Sequence, residues 1–176
     1  NKKHIIASNE GSAVSIGIGY HLSTEKTACV YMQNSGLGNA VNPLTSIAHP
    51  NVYSIPLLLL IGWRGAPNYS DEPQHLVKGR ITKKLLKLLN IEHCVLNNDK
   101  DFKKLKNIII KSKKYKRPVA CLIKNNILKS KITNKTKPHN NLFSRSDLIV
   151  NLLQAIDNNT DIISTTGYTS RELYQL

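Results

Sequence analysis

Apolar and polar positions along the chain alternate between short β-prone runs and longer stretches with helical spacing. Runs typical of strands cover residues 4–8, 28–33, 55–61, 92–96, 118–123 and 161–165. Between them, apolar residues recur every three or four positions and predict helices over 10–22, 37–48, 80–89, 99–114 and 145–156, with another starting near 170. Strands that alternate with helices predict an α/β fold, with a mostly parallel sheet and helices on both faces.

The periodicity stops over residues 124–141, where Asn, Lys, Thr and Pro dominate. This is the composition of a linker. We therefore expect one domain over 1–125, a linker over 126–142 and the beginning of a second α/β domain over 143–176. Because the chain starts without Met and stops inside a predicted first helical turn, we also expect it to be an internal fragment.

The formal charge of +14 is confined to one stretch. Residues 76–137 carry 19 basic side chains against three acidic ones, and they lack the interleaved Arg and aromatic residues of a base-reading surface. Solvated, Lys-rich helix faces are favoured over a nucleic-acid site. The apolar run 55–62 is too short to span a bilayer. Cys29, Cys94 and Cys121 stand far apart in strand-like runs, which favours buried free thiols and a cytoplasmic protein.

Glycines follow the strand 28–33 and suggest a ligand site at its carboxyl end. Gly36 and Gly38 stand between a strand and a predicted helix, where backbone N–H groups are free to meet a ligand. A dinucleotide fingerprint needs a third glycine, but Val41 occupies that position. It also needs an acid about 20 residues further on for the ribose, yet no Asp or Glu occurs between Glu25 and Asp71. The sequence excludes a dinucleotide site.

Several single residues are candidates for chemistry. Glu10 lies in the first turn of a helix, where it is either a carboxylate that the helix dipole favours or one buried in a ligand cleft. Arg64 follows a buried strand and suits an anionic substrate, but also a salt bridge to Asp71 or Glu72. His75, in a loop bounded by proline, is either a surface residue or an acid, base or anion contact.

Five segments together resemble the thiamine diphosphate-dependent decarboxylases, and among them the phosphonopyruvate and sulfopyruvate decarboxylases. The segments are Asn9-Glu10-Gly11, the run from Tyr31 to Pro43, Ile61-Gly62-Trp63-Arg64-Gly65, Asp71-Glu72-Pro73-Gln74-His75, and the run from Thr165 to Glu172. The resemblance follows the order of the whole chain but is weak over 98–142. It implies that residues 1–125 are most of the pyrimidine-binding domain, lacking its first elements, and that 143–176 begin the diphosphate-binding domain.

The resemblance also implies roles for particular residues. Glu10 matches the glutamate that hydrogen-bonds the pyrimidine N1′ of the cofactor, and is the expected catalytic residue. The turn after the strand is expected to bind the cofactor, through Gln33, Asn34, Ser35, Gly36, Leu37 and Gly38. Arg64, His75, Ser170 and Arg171 are candidates for the substrate anion, with the last two also able to meet the diphosphate. No metal ligand is expected here, since the Mg²⁺ ligands of the family lie further along the second domain.

The expected activity is decarboxylation of 3-phosphonopyruvate to phosphonoacetaldehyde and CO₂, as a step of phosphonate biosynthesis. Sulfopyruvate or another 2-keto acid is the alternative substrate. A binding or regulatory module without catalysis is the alternative class, and the presence of Glu10 counts against it. The family builds its sites between subunits, which predicts a homodimer or larger homo-oligomer and an inactive fragment.

Overall fold

The computed structural model describes residues 4–128, 144–157, 159–160, 162–164 and 168–175. The chain divides into two compact units, Asn1–Ser130 and Lys131–Leu176. Most of the expected linker, and residues 165–167 between the predicted strand 161–165 and the helix predicted near 170, lie outside the described residues. The domain boundaries given above stay a prediction.

The first unit alternates helices with strands. Its elements are α1 (Glu10–Thr24), β1 (Ala28–Gln33), a 3₁₀ helix (Asn34–Ala40), α2 (Val41–Ser46), β2 (Leu57–Gly62), α3 (Pro73–Leu88), β3 (Glu92–Leu96), a 3₁₀ turn (Asp99–Asp101), α4 (Phe102–Tyr115) and β4 (Val119–Ile123). In the second unit the structure describes α5 (Arg145–Ala155) and α6 (Tyr168–Gln175).

The four strands form one parallel sheet in the order β1-β2-β4-β3. In register, Gln33 at the end of β1 lies beside Gly62 at the end of β2. The predicted α/β class and parallel sheet are confirmed. The carboxyl ends of β1 and β2 therefore lie side by side at one edge of the sheet, where open α/β sheets bind ligands.

Helices cover both faces of the sheet. On one face, α1, α2 and α3 pack on side chains such as Leu57, Leu59 and Ile61, which are fully buried. On the other, α4 packs through Ile108 on β3 and β4, where Cys121 is fully buried. Burial on both faces explains why β2 is a continuous apolar run rather than an alternating one.

The predicted strand 4–8 is wrong, because these residues are irregular. Ile5 and Ile6 are 64% and 87% exposed. In the part of the chain that the structure describes, no strand pairs with the outer edge of β1. A run becomes a strand only when its backbone pairs with a neighbouring strand, so β-propensity alone does not make these residues one.

Two further elements differ from the predicted ones. The expected helix 37–48 is a 3₁₀ helix followed by the short α2, with Pro43 inside it. Helix α3 begins at Pro73, well before the predicted start at 80, so His75 lies in a helix and not in a loop. Proline is favoured in the first helical turn because its missing N–H has no partner to lose there.

Two smaller expectations also fail. The described part of the predicted strand 161–165, residues 162–164, is irregular. Cys29 is exposed, whereas Cys94 and Cys121 are buried as predicted. Cys29 lies on β1, the edge strand, on the face whose buried cluster includes α4, β3 and β4.

Candidate functional site

Glu10 is the first residue of α1, as the sequence predicts. Asn9 caps the helix by accepting a hydrogen bond from the Ser12 N–H at 2.9 Å, and its backbone is extended. An Asn at this position satisfies one of the unpaired N–H groups at a helix start. The cap therefore fixes where α1 begins and places the Glu10 side chain at its N-terminal end.

The Glu10 carboxylate lies against the 3₁₀ helix that follows β1. The side-chain amide of Asn39 donates a hydrogen bond to Glu10 Oε2 at 2.9 Å. A Cβ at Gly36 would lie 2.0 Å from Glu10 Cδ and 2.1 Å from Oε1, far inside any allowed contact. A Cβ at Gly11 would lie 2.7 Å from the Asn39 carbonyl oxygen. Because Gly11 and Gly36 have no side chains, α1 and the 3₁₀ helix can pack closely around the carboxylate.

The environment of Glu10 favours its ionised form. The Asn39 hydrogen bond is the largest cause that lowers the pKa of Glu10, and its own backbone N–H adds to it. Partial burial opposes these effects, and the positive charge of Lys78 contributes the least. The carboxylate is half-buried beside Gly36, which has no side chain. In this position it is able to accept a proton, or a hydrogen bond, from a ligand nitrogen.

Gln33, at the end of β1, and Ser35, at the start of the 3₁₀ helix, precede Gly36 and contact one another. The Ser35 hydroxyl donates a hydrogen bond to Gln33 Oε1, and both residues are half-buried. A Cβ at Gly38 would meet nothing within 4 Å in the described part of the chain. These three residues leave polar groups and open space at the carboxyl end of β1, as a ligand-binding turn requires.

Asn34 and Leu37 are turned into the protein. The Asn34 amide donates to the Arg64 carbonyl at 2.9 Å and to Thr82 Oγ1 at 3.0 Å, and its Oδ1 accepts from the Arg64 N–H at 3.0 Å. Leu37 is only 1% exposed and belongs to the core. Asn34 ties the ends of β1 and β2 to α3, so the polar atoms of its side chain are bonded within the fold, and its role toward the cofactor stays a prediction.

Arg64 forms an ion pair with Asp71, which is one of the two alternatives that the sequence left open. Its Nη2 lies 2.5 Å from Asp71 Oδ1, and its Nε lies 2.9 Å from Oδ2. The Asp71 side chain is 3% exposed and also accepts from the Gly65 and Glu72 N–H groups. The guanidinium beside Asp71 holds the pKa of that carboxyl well below its usual range.

His75 is half-buried in the first turn of α3. Its backbone is held close to the turn after β2, because a Cβ at Gly65 would lie 2.0 Å from the His75 carbonyl oxygen. Gly65 has a φ of 65°, which a side chain would strain as well. This contact brings the start of α3 beside the Arg64 turn.

Ser170 and Arg171 lie on α6 of the second unit. The Ser170 hydroxyl donates to Ser164 Oγ at 3.1 Å, and the Arg171 guanidinium lies 5.8 Å from the centre of the Tyr168 ring. A cavity of about 430 Å³ borders Arg171 together with Arg145 and Glu172, which form an ion pair. The roles of Ser170 and Arg171 toward a substrate anion or the diphosphate stay a prediction.

In the first unit, a larger cavity of about 820 Å³ borders Glu10. It lies between residues 4–9, α1 and β1, and includes Tyr20 and Tyr31 in its lining. The turn residues 33–38 do not line it. The cavity therefore follows the outer edge of β1 and is separate from the polar turn that the Glu10 carboxylate contacts.

Sequence reasoning missed Asn39. This residue is 29 positions from Glu10, and nothing in a helical pattern distinguishes it from a polar surface position. Its position in the sequence could have pointed to it, because Asn39 directly follows Gly38 in the same polar turn that contains Gly36.

Comparison with known proteins identifies a family for the part of the chain that contains Glu10. A family model described as the N-terminal TPP-binding domain of thiamine pyrophosphate enzymes matches residues 1–88, which include Glu10 and the turn after β1. Thiamine pyrophosphate, or TPP, is the same compound as thiamine diphosphate.

Similar proteins cover the rest of the chain. The phosphonopyruvate decarboxylases of Streptomyces viridochromogenes and Streptomyces hygroscopicus are 31% and 30% identical over 99% of this chain and 47% of their own lengths. The sulfopyruvate decarboxylase subunit alpha of Methanococcus maripaludis is 34% identical over 69% of this chain and 71% of that subunit. The chain spans about half the length of the phosphonopyruvate decarboxylases that it matches.

Proposed function

The chain belongs to the thiamine pyrophosphate enzymes, and from this membership we propose that it is the pyrimidine-binding part of an enzyme that decarboxylates 3-phosphonopyruvate. The products are phosphonoacetaldehyde and CO₂. The observation that carries the proposal is the Glu10 carboxylate, held by Asn39 over a turn where Gly36 has no side chain.

The residues at this turn fit the cofactor. The missing Cβ of Gly36 gives the carboxylate its place, and the open surroundings of Gly38 admit a ligand. Glu10 would hold a proton between its carboxylate and the N1′ of the pyrimidine ring. Gln33 and Ser35 would offer polar groups beside it. When bound, thiamine diphosphate supplies the electron sink that loss of CO₂ from a 2-keto acid requires.

We propose phosphonopyruvate rather than sulfopyruvate as the substrate because the two groups of relatives align with different shares of this chain. The phosphonopyruvate decarboxylases align with both units of this chain, while the alpha subunit of sulfopyruvate decarboxylase aligns with 69% of it. A chain that continues into a second domain matches the first group better. Sulfopyruvate remains the competing substrate, since phosphonate and sulfonate groups both offer anionic oxygens to the protein.

The remaining parts of the site lie elsewhere in the proposed enzyme. Among the described residues, no group of three His, Cys, Asp or Glu side chains is placed to hold a metal ion. We expect Mg²⁺ and the diphosphate to be bound by the second domain of a partner subunit, in a homodimer or larger homo-oligomer. Within the described residues, no helix is long and apolar enough to cross a membrane.

The test is an activity assay on the full-length gene product. Aldehyde formation is measured from phosphonopyruvate and from sulfopyruvate, with and without thiamine diphosphate and Mg²⁺. We expect turnover of phosphonopyruvate that depends on the cofactor. Preferred turnover of sulfopyruvate would reassign the substrate, and no turnover of either would refute the enzymatic function.

A variant of Glu10 tests the carrying observation. We expect Glu10→Gln to lower turnover by at least about a hundredfold, because an amide cannot exchange the proton that the carboxylate handles. Glu25→Gln is the matched control, since Glu25 is exposed at the other end of α1. Near-normal turnover of a folded Glu10→Gln protein would remove Glu10 from its role.

A further inference from the structure

Asn39 contacts the N-terminal end of α1 in two independent ways. Its side-chain Nδ2 donates to Glu10 Oε2 at 2.9 Å, and its backbone oxygen lies where a Cβ of Gly11 would be 2.7 Å away. Because Gly11 has no Cβ, the 3₁₀ helix can approach α1 this closely. The side-chain hydrogen bond then determines which way the Glu10 carboxylate is turned.

The other neighbours of Glu10 do not provide this orientation. Gly36 supplies space and no polar side chain, and the 3₁₀ helix carries no acidic side chain in its first turn and no basic one in its last. Lys78, on α3, acts on Glu10 only through its charge, as the weakest of the causes that favour the ionised form. Among the described residues, Asn39 supplies the side-chain hydrogen bond to the carboxylate, to which the backbone N–H of Glu10 adds a smaller contribution.

We propose that Asn39 is the positioning residue for Glu10: its amide occupies Oε2, fixes the carboxylate over Gly36 and leaves Oε1 as the oxygen available to a ligand nitrogen. This inference rests on the proposed function. Asn39 itself touches neither substrate nor cofactor in this assignment, and acts only through Glu10.

The consequence for Glu10 can be measured without any ligand. Loss of a hydrogen bond to the charged form raises the pKa of a carboxyl group, and a second carboxylate nearby raises it further. Asn39→Ala should therefore raise the pKa of Glu10, and Asn39→Asp, which keeps the shape of the side chain, should raise it more. Lys78→Gln should raise it less than either, because the charge of Lys78 contributes least.

The experiment is a carboxyl NMR titration of the full chain with ¹³C-labelled glutamate. The chain contains five glutamates, and the Glu10 signal is the one absent from Glu10→Gln. Asn42→Ala is the matched control. Asn42 is an exposed asparagine three positions after Asn39, and its side chain accepts a hydrogen bond from the Ser46 hydroxyl. We expect the Glu10 titration to be unchanged in this control and shifted upward in both Asn39 variants.

The same variants are then assayed in the full-length enzyme. We expect turnover to fall about ten- to a hundredfold in Asn39→Ala, which is the size of effect that small displacements of a reacting group produce. The limb of the pH profile that depends on Glu10 should move to higher pH. A purely structural role would lower the melting temperature without moving that limb.

Each outcome decides the inference. An unshifted Glu10 titration in the folded Asn39→Asp chain would overturn it, as would a shifted titration with unchanged turnover and pH profile. If wild-type enzyme shows no turnover, the proposed function fails, and the titration still decides whether Asn39 controls the carboxylate.

Discussion

Replacing Gly36 by alanine should displace Glu10 without changing its chemistry. The added Cβ would lie 2.0 Å from Glu10 Cδ, 2.1 Å from Oε1 and 2.3 Å from Cγ. Carbon atoms in contact are about 3.5–4.0 Å apart, so the carboxyl group must move by roughly 1.5 Å. A misplacement of about 1 Å can cost about a hundredfold in rate, which equals about 2.7 kcal/mol.

Stability should change far less than activity. The side chain that must move is half-exposed and flexible, so it can rotate away from the new methyl group. The φ of Gly36 is not in the left-handed region, and alanine gains about 0.4–1 kcal/mol at such positions by restricting the unfolded chain. We therefore expect the free energy of unfolding to change by less than about 1 kcal/mol.

The assay combines steady-state turnover of the full-length enzyme with urea unfolding of the same preparations. Gly19→Ala is the control, because Gly19 is an exposed glycine of α1 whose Cβ would meet nothing within 4 Å in the described part of the chain. It should keep full turnover and gain about 0.5–1 kcal/mol. Normal turnover of a folded Gly36→Ala enzyme would refute the reasoning, because the carboxylate would then tolerate the displacement.

Three further substitutions separate binding from folding. Arg64→Ala should lower the free energy of unfolding by about 1–3 kcal/mol, because it leaves the buried Asp71 carboxylate with backbone donors only; a raised KM with unchanged stability would instead indicate a substrate contact. Because the pKa of Asp71 is lowered, ionised Asp71 stabilises the fold above the ordinary aspartate pKa near 4, and this stabilisation is progressively lost as pH falls below 4. Between pH 7 and pH 3, the free energy of unfolding should therefore fall less in Arg64→Ala than in the wild type. Asn34→Ala should cost about 2–4 kcal/mol in urea unfolding, since it removes the buried hydrogen bonds that the Asn34 amide makes to the Arg64 backbone and to Thr82; a loss of turnover with normal stability would instead indicate a ligand contact of Asn34. Gly38→Ala should leave the free energy of unfolding nearly unchanged, because a Cβ there would meet no described residue within 4 Å. A drop in cofactor affinity would then show that Gly38 contacts the ligand, and unchanged affinity would exclude that contact.

Local rules in the sequence determined the class of the fold and part of the site. Strands and helices alternate because apolar residues recur with the matching periods, and the parallel sheet follows from that alternation. The cap at Asn9 fixes the start of α1, and so the position of Glu10, from neighbouring residues alone. The salt bridge of Arg64 spans only seven positions, which is why it was one of two explicit alternatives.

Contacts between distant residues decided the rest. Asn34 is polar like Ser35, yet it is buried because Arg64 after β2 and Thr82 in α3, 30 and 48 positions away, offer it partners. Ile5 and Ile6 have the composition of a strand, but within the described residues their segment does not pair with β1, whose outer edge borders the same cavity. Asn39 meets Glu10 only because Gly11 and Gly36 let two helices approach, and such a meeting depends on the folded backbone and not on any local pattern.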